Sequence, residues 1–197
     1  MSNNNNQSNS SKYNFRFGVL VLMIVAAAAT RLLPHYPNFT AVGGMALFGA
    51  AYFSKKYWAY IVPFAALWIS DLFLNNFVYS MGEGFTLFSK WSIGTYLAFG
   101  LIIFMGSKFL KKITIPNVIG TTVGASLLFF LVTNFGVWAM DPGFIYPDGS
   151  VGLLACYTAG LPYFWNTLAG DLVFVGIMFG GFELIKTFYP SLSISKA

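Results

Sequence analysis

Apolar residues occur in long runs along the chain, separated by short polar segments. Five runs approach the roughly 20 residues that a helix needs to cross about 30 Å of hydrocarbon. They lie near 17–33, 57–75, 91–109, 115–140 and 163–185. A sixth run, 41–53, would be only about 20 Å long as a helix. We therefore predict an all-α membrane protein with six transmembrane helices, of which the second is short.

A proline-rich polar segment, 34–40, precedes the short second helix. Pro34 and Pro37 lack backbone donors and push the residues before them out of helical geometry. We predict an extended segment that supplies the missing length of the second span. Non-helical backbone at membrane depth needs protein or a wet cavity to satisfy its polar groups. This segment is therefore our first candidate for a cavity wall.

The run at 151–161 is apolar but too short to cross a membrane. We expect a re-entrant or interfacial helix on the outer side, between spans five and six, ended by Pro162. Residues 1–15 begin with an Asn- and Ser-rich stretch and are predicted to form a disordered cytoplasmic tail. A single transmembrane domain, 16–188, and a second cytoplasmic tail, 189–197, complete the predicted organisation.

The basic residues indicate the orientation of the chain. It has 11 Lys and Arg residues and a formal net charge of +5. If all six segments cross, nine of these residues share one side: Lys12, Arg16, Lys55, Lys56, Lys108, Lys111, Lys112, Lys186 and Lys196. Only Arg31 and Lys90 fall on the other side. By the positive-inside rule, we predict a bacterial inner-membrane protein with both termini in the cytoplasm.

Composition agrees with a membrane protein and narrows the chemistry. Hydrophobic residues make up 57% of the chain and charged residues 9%. Cys156 is the only cysteine, which excludes an intramolecular disulfide and favours a packing role. The sequence contains neither a Walker loop nor a His-Glu-x-x-His motif. We therefore expect a protein that is not an enzyme, has no cofactor, metal or nucleic-acid partner, and is surrounded by membrane lipid.

Polar side chains from several segments are predicted to lie in the outer half of the membrane. Charged groups facing lipid are costly, so we expect them to point inward. The candidate substrate-binding residues are Arg31, His35, Asn38, Asp71, Asn134, Asn166 and Asp171. Two interpretations of the aspartates remain open: they line a functional cavity, or they pair with Arg31 and backbone donors as structural groups. Two interpretations of His35 also remain open: it is a residue of the membrane interface, or it binds a ligand or carries a proton.

Several short stretches carry a family resemblance. They are Leu-Leu-Pro-His-Tyr-Pro-Asn-Phe-Thr-Ala-Val-Gly from Leu32, Leu-Trp-Ile-Ser-Asp-Leu from Leu67, Val-Thr-Asn-Phe-Gly-Val-Trp from Val132 and Asn-Thr-Leu-Ala-Gly-Asp-Leu from Asn166. In these the chain resembles a family of small bacterial inner-membrane proteins of unknown function. More distantly it is similar to the substrate-binding (S) components of energy-coupling-factor vitamin transporters.

The distant resemblance implies a function. S components capture substrate from outside, and small residues of their first span meet a transmembrane coupling partner. Here Ala26, Ala27, Ala28 and Ala29 would form that partner interface. We therefore expect a binder and importer of a small micronutrient or vitamin. The alternative is a non-transporting scaffold or assembly factor, and an intramembrane enzyme is a third interpretation.

Overall fold

The computed structural model describes residues 2–79, 84–141 and 143–193, with side chains from residue 12 onward. This part of the chain contains six α-helices and no β-strand. The helices are α1 (Ser2–Ala29), α2 (Val42–Tyr52), α3 (Lys56–Phe73), α4 (Ile93–Phe109), α5 (Ile115–Met140) and α6 (Ser150–Phe188). A 3₁₀ turn, Thr30–Leu32, extends α1, and a π-helical turn, Leu74–Val78, extends α3.

Five helices are long and apolar enough to cross a membrane, as expected of a multi-pass membrane protein. The predicted all-helical fold is therefore confirmed. The remaining helix, α2, has 11 residues and a length of about 16 Å. Its shortness agrees with the prediction, whereas the number of crossings and the side on which the termini lie stay predictions.

The short helix α2 is the centre of the bundle. All 11 of its residues are buried, and it packs against α3, α4 and α6. Small residues permit this close approach, because a Cβ atom on Gly49 would lie 2.6 Å from Pro63 Cγ and one on Gly106 would lie 2.9 Å from Ala50 Cβ. The hydrophobic core is therefore arranged around a helix that is enclosed by protein along its whole length.

The bundle has two chemically different ends. Arg16, Tyr52 and Lys55 lie together at the end we call the basic end, where Arg16 hydrogen-bonds to the carbonyl of Tyr52. Arg31 and Asp71 lie at the opposite end, here called the loop end. Since successive helices alternate in direction, the long connections after α3 and α5 are also at the loop end. Part of the first connection, residues 80–83, lies outside the described residues.

The structure corrects the prediction of a separate re-entrant helix before the last span. Helix α6 is continuous for 39 residues, with Pro162 inside it. Proline removes one backbone hydrogen bond, which a membrane helix tolerates when its neighbours stabilise it. The first part of α6 is held against α5 by the Cys156 thiol, which donates to the Asn134 carbonyl at 3.3 Å, and by the Tyr157 hydroxyl, which donates to the Leu131 carbonyl at 2.7 Å. It is thus an extension of the last helix, packed on α5.

The first helix extends farther toward the N-terminus than the predicted span. Helical backbone begins at Ser2. It thus covers most of the segment, 1–15, that we assigned to a disordered tail. The disorder of that tail stays a prediction. Of the predicted C-terminal tail, residues 194–197 lie outside the described residues.

Candidate functional site

The segment between α1 and α2 is non-helical, as its prolines predict. It lies on α6 at Gly170, where a Cβ atom would come within 2.9 Å of the Thr40 backbone nitrogen. The Asn166 side-chain amide donates to the Pro37 carbonyl at 2.9 Å. Asn38 adopts a left-handed backbone conformation with φ of 62°, which asparagine accepts more readily than most residues. The segment is therefore attached to α6 and ends directly above α2.

Asp171 of α6 caps the first turn of α2. Its carboxylate accepts hydrogen bonds from the backbone N–H groups of Gly43 and Gly44 and from the Ser126 hydroxyl, the last at 2.7 Å. The N-cap residue of α2, Ala41, offers no side-chain acceptor of its own. Because the first N–H groups of a helix lack partners within it, a carboxylate there is favourable both as an acceptor and as a charge near the helix dipole. A Cβ atom on Gly43 would overlap this carboxylate, so glycine is required for the contact.

A cavity of about 210 Å³ lies between α4, α5, α6 and Asn38. A smaller space of about 30 Å³ adjoins it and is lined by Asp171 and Gly43. The two spaces share Asn38, Phe129 and Thr167 as lining residues. We call the combined space the groove. It leads from the loop end of the bundle to the capped first turn of α2.

Residues spaced by four along α6 form one wall of the groove. Tyr163 is 48% exposed at the mouth, Thr167 is 8% exposed, and Asp171 is 2% exposed at the bottom. Residues four apart lie on the same face of a helix, so these three side chains form a column from the surface to the interior. The wall thus provides polar groups at each depth.

Several polar groups of the groove offer lone pairs that can accept hydrogen bonds. The hydroxyls of Thr133 and Thr167 already donate to backbone carbonyls of their own helices, at 2.8 and 3.0 Å. The Asn134 amide donates to the Phe130 carbonyl at 2.8 Å. A hydroxyl that donates one bond keeps its lone pairs, and a carboxylate can only accept. These groups can therefore accept hydrogen bonds from a solute in the groove.

Arg31 and Asp71 form a separate cluster at the loop end. Arg31 Nη2 donates to Asp71 Oδ1 at 2.6 Å, and its Nη1 donates to the Ser70 hydroxyl and to the Leu67 carbonyl. The Tyr96 hydroxyl donates to Asp71 Oδ2 at 2.9 Å. This cluster joins the end of α1 to α3 and α4. Neither Arg31 nor Asp71 lines the groove.

The structure thus divides the predicted binding residues. Asn38, Asn134 and Asp171 line the groove, and Asn166 fixes the backbone beside it. Arg31 and Asp71 pair with each other instead. His35 is exposed, and its Nδ1 lies 2.9 Å from the Tyr36 carbonyl. Among the described residues, no group of three or more His, Cys, Asp or Glu side chains is placed to share a metal ion.

The alanines proposed as a partner interface point in two directions. Ala27 and Ala28 are buried in the core of the bundle, whereas Ala26 and Ala29 are exposed. Leu22 is exposed on the same face of α1. Of the four alanines, only Ala26 and Ala29 are accessible to another protein.

Sequence reasoning missed Ser126, Thr133 and Thr167, all of which belong to the site or support it. Hydroxyl residues are common in membrane helices, so neither Ser126 nor Thr133 carried a distinctive signal. The four-residue spacing of Tyr163, Thr167 and Asp171 was visible in the sequence and could have identified the wall on α6.

Outside the spans, Asp141 ends α5 and holds the first part of the connection to α6. Desolvation raises the pKa of this carboxyl, but hydrogen bonds from the backbone N–H groups of Tyr146, Ile145 and Phe144 outweigh it and hold the pKa below its ordinary value. The three bonds are 2.7 to 2.9 Å long. Asp141 therefore shapes the loop next to the first turn of α6.

Comparison with known proteins identifies the family. The model of a family of unknown function, DUF6580, matches residues 11–192. The chain belongs to this family. The residues of the groove and of the Arg31 cluster all lie within the matched range. No curated protein and no solved structure matches the chain.

Proposed function

We propose that this member of the family is an integral membrane protein that binds a small polar solute at the loop end and takes it up. The groove is the observation that carries the proposal. It is a space of about 210 Å³, lined by aromatic and apolar side chains together with a few polar groups, that narrows toward Asp171 at the first turn of α2. A partly buried cavity with a few convergent polar groups is the ordinary form of a small-molecule site.

The size and chemistry of the groove limit the solute. Sites for drug-sized ligands usually have volumes of about 300 to 1,000 Å³, so this groove favours a smaller molecule. Its acceptors, with Asp171 at the bottom, favour a neutral or cationic solute that donates hydrogen bonds. Among micronutrients and vitamins, we propose a compact, donor-rich compound. Arg31, already paired with Asp71, is less suited to bind an anion.

The proposal includes an orientation. The basic residues around Arg16 and Lys55 are gathered at the end of the bundle opposite the groove. By the positive-inside rule, we propose that this end is cytoplasmic in a bacterial inner membrane, with both termini on that side. The groove would then open outward, and Ala26 and Ala29 would remain for a transmembrane coupling partner.

Native mass spectrometry of the full chain, purified gently from its own host, tests the proposal. We expect a retained small molecule that is lost from the variant Thr133→Leu, because the larger side chain would fill the groove. Thr167→Val should retain about tenfold less, since one hydrogen bond to the solute is removed.

Thr158→Val is the matched control for Thr167→Val. Thr158 lies on the same helix, is exposed, and also donates to the carbonyl four residues earlier, at 2.8 Å. It does not line the groove. If the two threonine variants retained equal amounts of the molecule, the groove would not be its site.

The alternative function is a non-transporting scaffold. The observation in its favour is the Arg31–Asp71 pair. The two charges are satisfied by each other and by neighbouring helices, and neither residue lines the groove. In the same experiment, a scaffold would carry no small molecule and would instead retain a protein partner in fixed stoichiometry.

A further inference from the structure

A second cavity, larger than the groove, lies elsewhere in the described part of the chain. It has a volume of about 590 Å³ and lies at the basic end, between α1, the end of α2 and the beginning of α3. This volume is within the range of about 300 to 1,000 Å³ that is typical of ligand sites. No residue of the groove lines it, so it requires a separate explanation.

One wall of this cavity is aromatic and continuous. The Phe17 ring centroid lies 5.6 Å from that of Phe53 and 5.0 Å from that of Trp58. Leu20, which is almost completely buried, extends the same surface toward the core. Contact between such a surface and a hydrocarbon chain is favourable because it removes apolar area from water. The wall therefore fits an aliphatic chain.

The lining also contains two cationic residues. Arg16 and Lys55 both line the cavity, and no carboxylate is among the lining residues that the structure describes. Arg16 is held in position by its hydrogen bonds to the carbonyls of Leu192 and Tyr52, both at 3.0 Å. Lys55 is exposed at the rim. The charge of this lining is complementary to an anion.

The position of the cavity places its aromatic wall and its basic residues at the level of a membrane surface. Two candidate spans, Lys12–Leu32 and Lys56–Val78, begin beside it. Tyr13 and Trp58, which also line it, are of the aromatic types that concentrate at the level of lipid headgroups. At that level a phosphate lies next to the beginning of an acyl chain, and basic pockets between transmembrane helices bind anionic lipid headgroups.

We propose that this cavity binds one anionic phospholipid. Its phosphate would lie at Lys55 on the rim, on the side of the cavity that also carries the positive charge of Arg16, and the first part of an acyl chain would lie along Phe17, Phe53 and Trp58. The lipid would fill the space between α1 and α3 at the basic end. Binding there is independent of whether the groove takes a solute.

The test is native mass spectrometry of the full chain, titrated in detergent with phosphatidylglycerol, phosphatidylethanolamine or inorganic phosphate. We expect a one-to-one adduct with phosphatidylglycerol at lower concentration than with phosphatidylethanolamine, and no adduct with inorganic phosphate. Lys55→Gln should weaken phosphatidylglycerol binding about fivefold, which is the effect of roughly 1 kcal/mol for one basic residue near an anionic surface.

Lys56→Gln is the matched control, because it removes the same charge from the neighbouring, exposed position, which does not line the cavity. It should bind phosphatidylglycerol like the unmodified protein.

Equal loss of phosphatidylglycerol binding in both lysine variants would show attraction to the basic surface as a whole and would overturn the site. Equal binding of the two lipids, or displacement of phosphatidylglycerol by inorganic phosphate, would overturn the proposed lipid class. Unfolding temperatures of both variants, expected to be unchanged, exclude a loss of fold as the cause.

Discussion

Asp71 and Asp171 are aspartates of the same bundle that are stabilised in different ways. Asp71 accepts from a guanidinium and a phenol, so a full positive charge compensates it. Within the described residues, the donors to Asp171 are neutral: the Ser126 hydroxyl and two N–H groups of α2. Asp71 is enclosed in its cluster, whereas Asp171 lines the bottom of the groove. Two similar aspartates in the sequence thus have different roles: one joins helices α1, α3 and α4, and the other holds the beginning of α2 below a cavity.

One of the two largest effects should come from placing a methyl group against the Asp171 carboxylate. Gly43→Ala forces the carboxylate away from the first turn of α2, and we expect it to destabilise the protein by about 3 kcal/mol, the upper part of the usual range for overpacking. Thermal unfolding of the full chain in detergent would measure this.

Gly120→Ala serves as the control because a Cβ atom there meets nothing within 4 Å. Alanine favours helix, so this variant should be unchanged or stabilised by less than about 1 kcal/mol. Adding Asp171→Ser to Gly43→Ala should recover part of the loss by removing the overlap. Equal stability of the two alanine variants would contradict the capping arrangement.

A double-mutant cycle on Arg31 and Asp71 sharpens the comparison. Arg31→Met and Asp71→Leu should each cost about 3 kcal/mol, because each leaves the other charge without its partner. The double variant should be more stable than either single variant, since both charges are removed together. The measurement is the free energy of unfolding of all four proteins.

The corresponding cycle at the other aspartate should give no such recovery. Asp171→Leu combined with Ser126→Ala still leaves the N–H groups of Gly43 and Gly44 without an acceptor. If this double variant recovered stability like the Arg31 pair, the two aspartates would be stabilised in the same way, and the distinction drawn above would be wrong.

The smallest effect concerns a third aspartate, Asp141, which is held by backbone N–H groups outside the spans. Because its pKa is lowered in the folded protein, its contribution is fully present above the ordinary carboxyl pKa and is lost as the pH falls through the lowered value. The difference in unfolding temperature between the unmodified protein and Asp141→Asn should therefore shrink in acid.

Asp148→Asn makes the same charge change in the same connection. Asp148 is exposed and accepts no hydrogen bond from the described residues. We expect the unfolding temperature of Asp148→Asn to be nearly the same as that of the unmodified protein at every pH. A loss in acid that is equally large for both aspartates would indicate a general charge effect on the loop.

Several parts of the fold could be predicted because they depend on composition and local geometry. The five long apolar runs predict helices, since backbone polar groups in lipid must be satisfied within the segment. Pro34 and Pro37 predict the non-helical segment because proline excludes helical geometry locally. The continuous α6 was not predictable in this way. A lone proline such as Pro162 is compatible with a helix end or with a helix interior, and contacts with α5 stabilise the interior position here.

In the candidate site, too, some features could be predicted from the sequence and others depended on packing. The cost of burying a carboxylate was enough to predict that Asp71 and Asp171 face inward. It was not enough to predict their partners, because Arg31 and backbone donors were open as partners of both aspartates. Partner choice depends on how the helices are rotated and on how deep each residue lies. A shift of one residue in α6 would turn its side chain by about 100° away from α2.

Hydropathy, prolines and charge along the chain are enough to predict a helical membrane protein with a short second helix, a non-helical proline-rich segment before it and basic residues gathered near particular helix ends. These features follow from hydropathy, proline geometry and charge, which act within single segments. Only the packed helices show that Arg31 neutralises Asp71, that Asp171 caps α2, and that separate cavities lie at the two ends. Those outcomes depend on contacts between residues as far apart in sequence as Gly43 and Asp171, and only the packing of the helices brings such residues together.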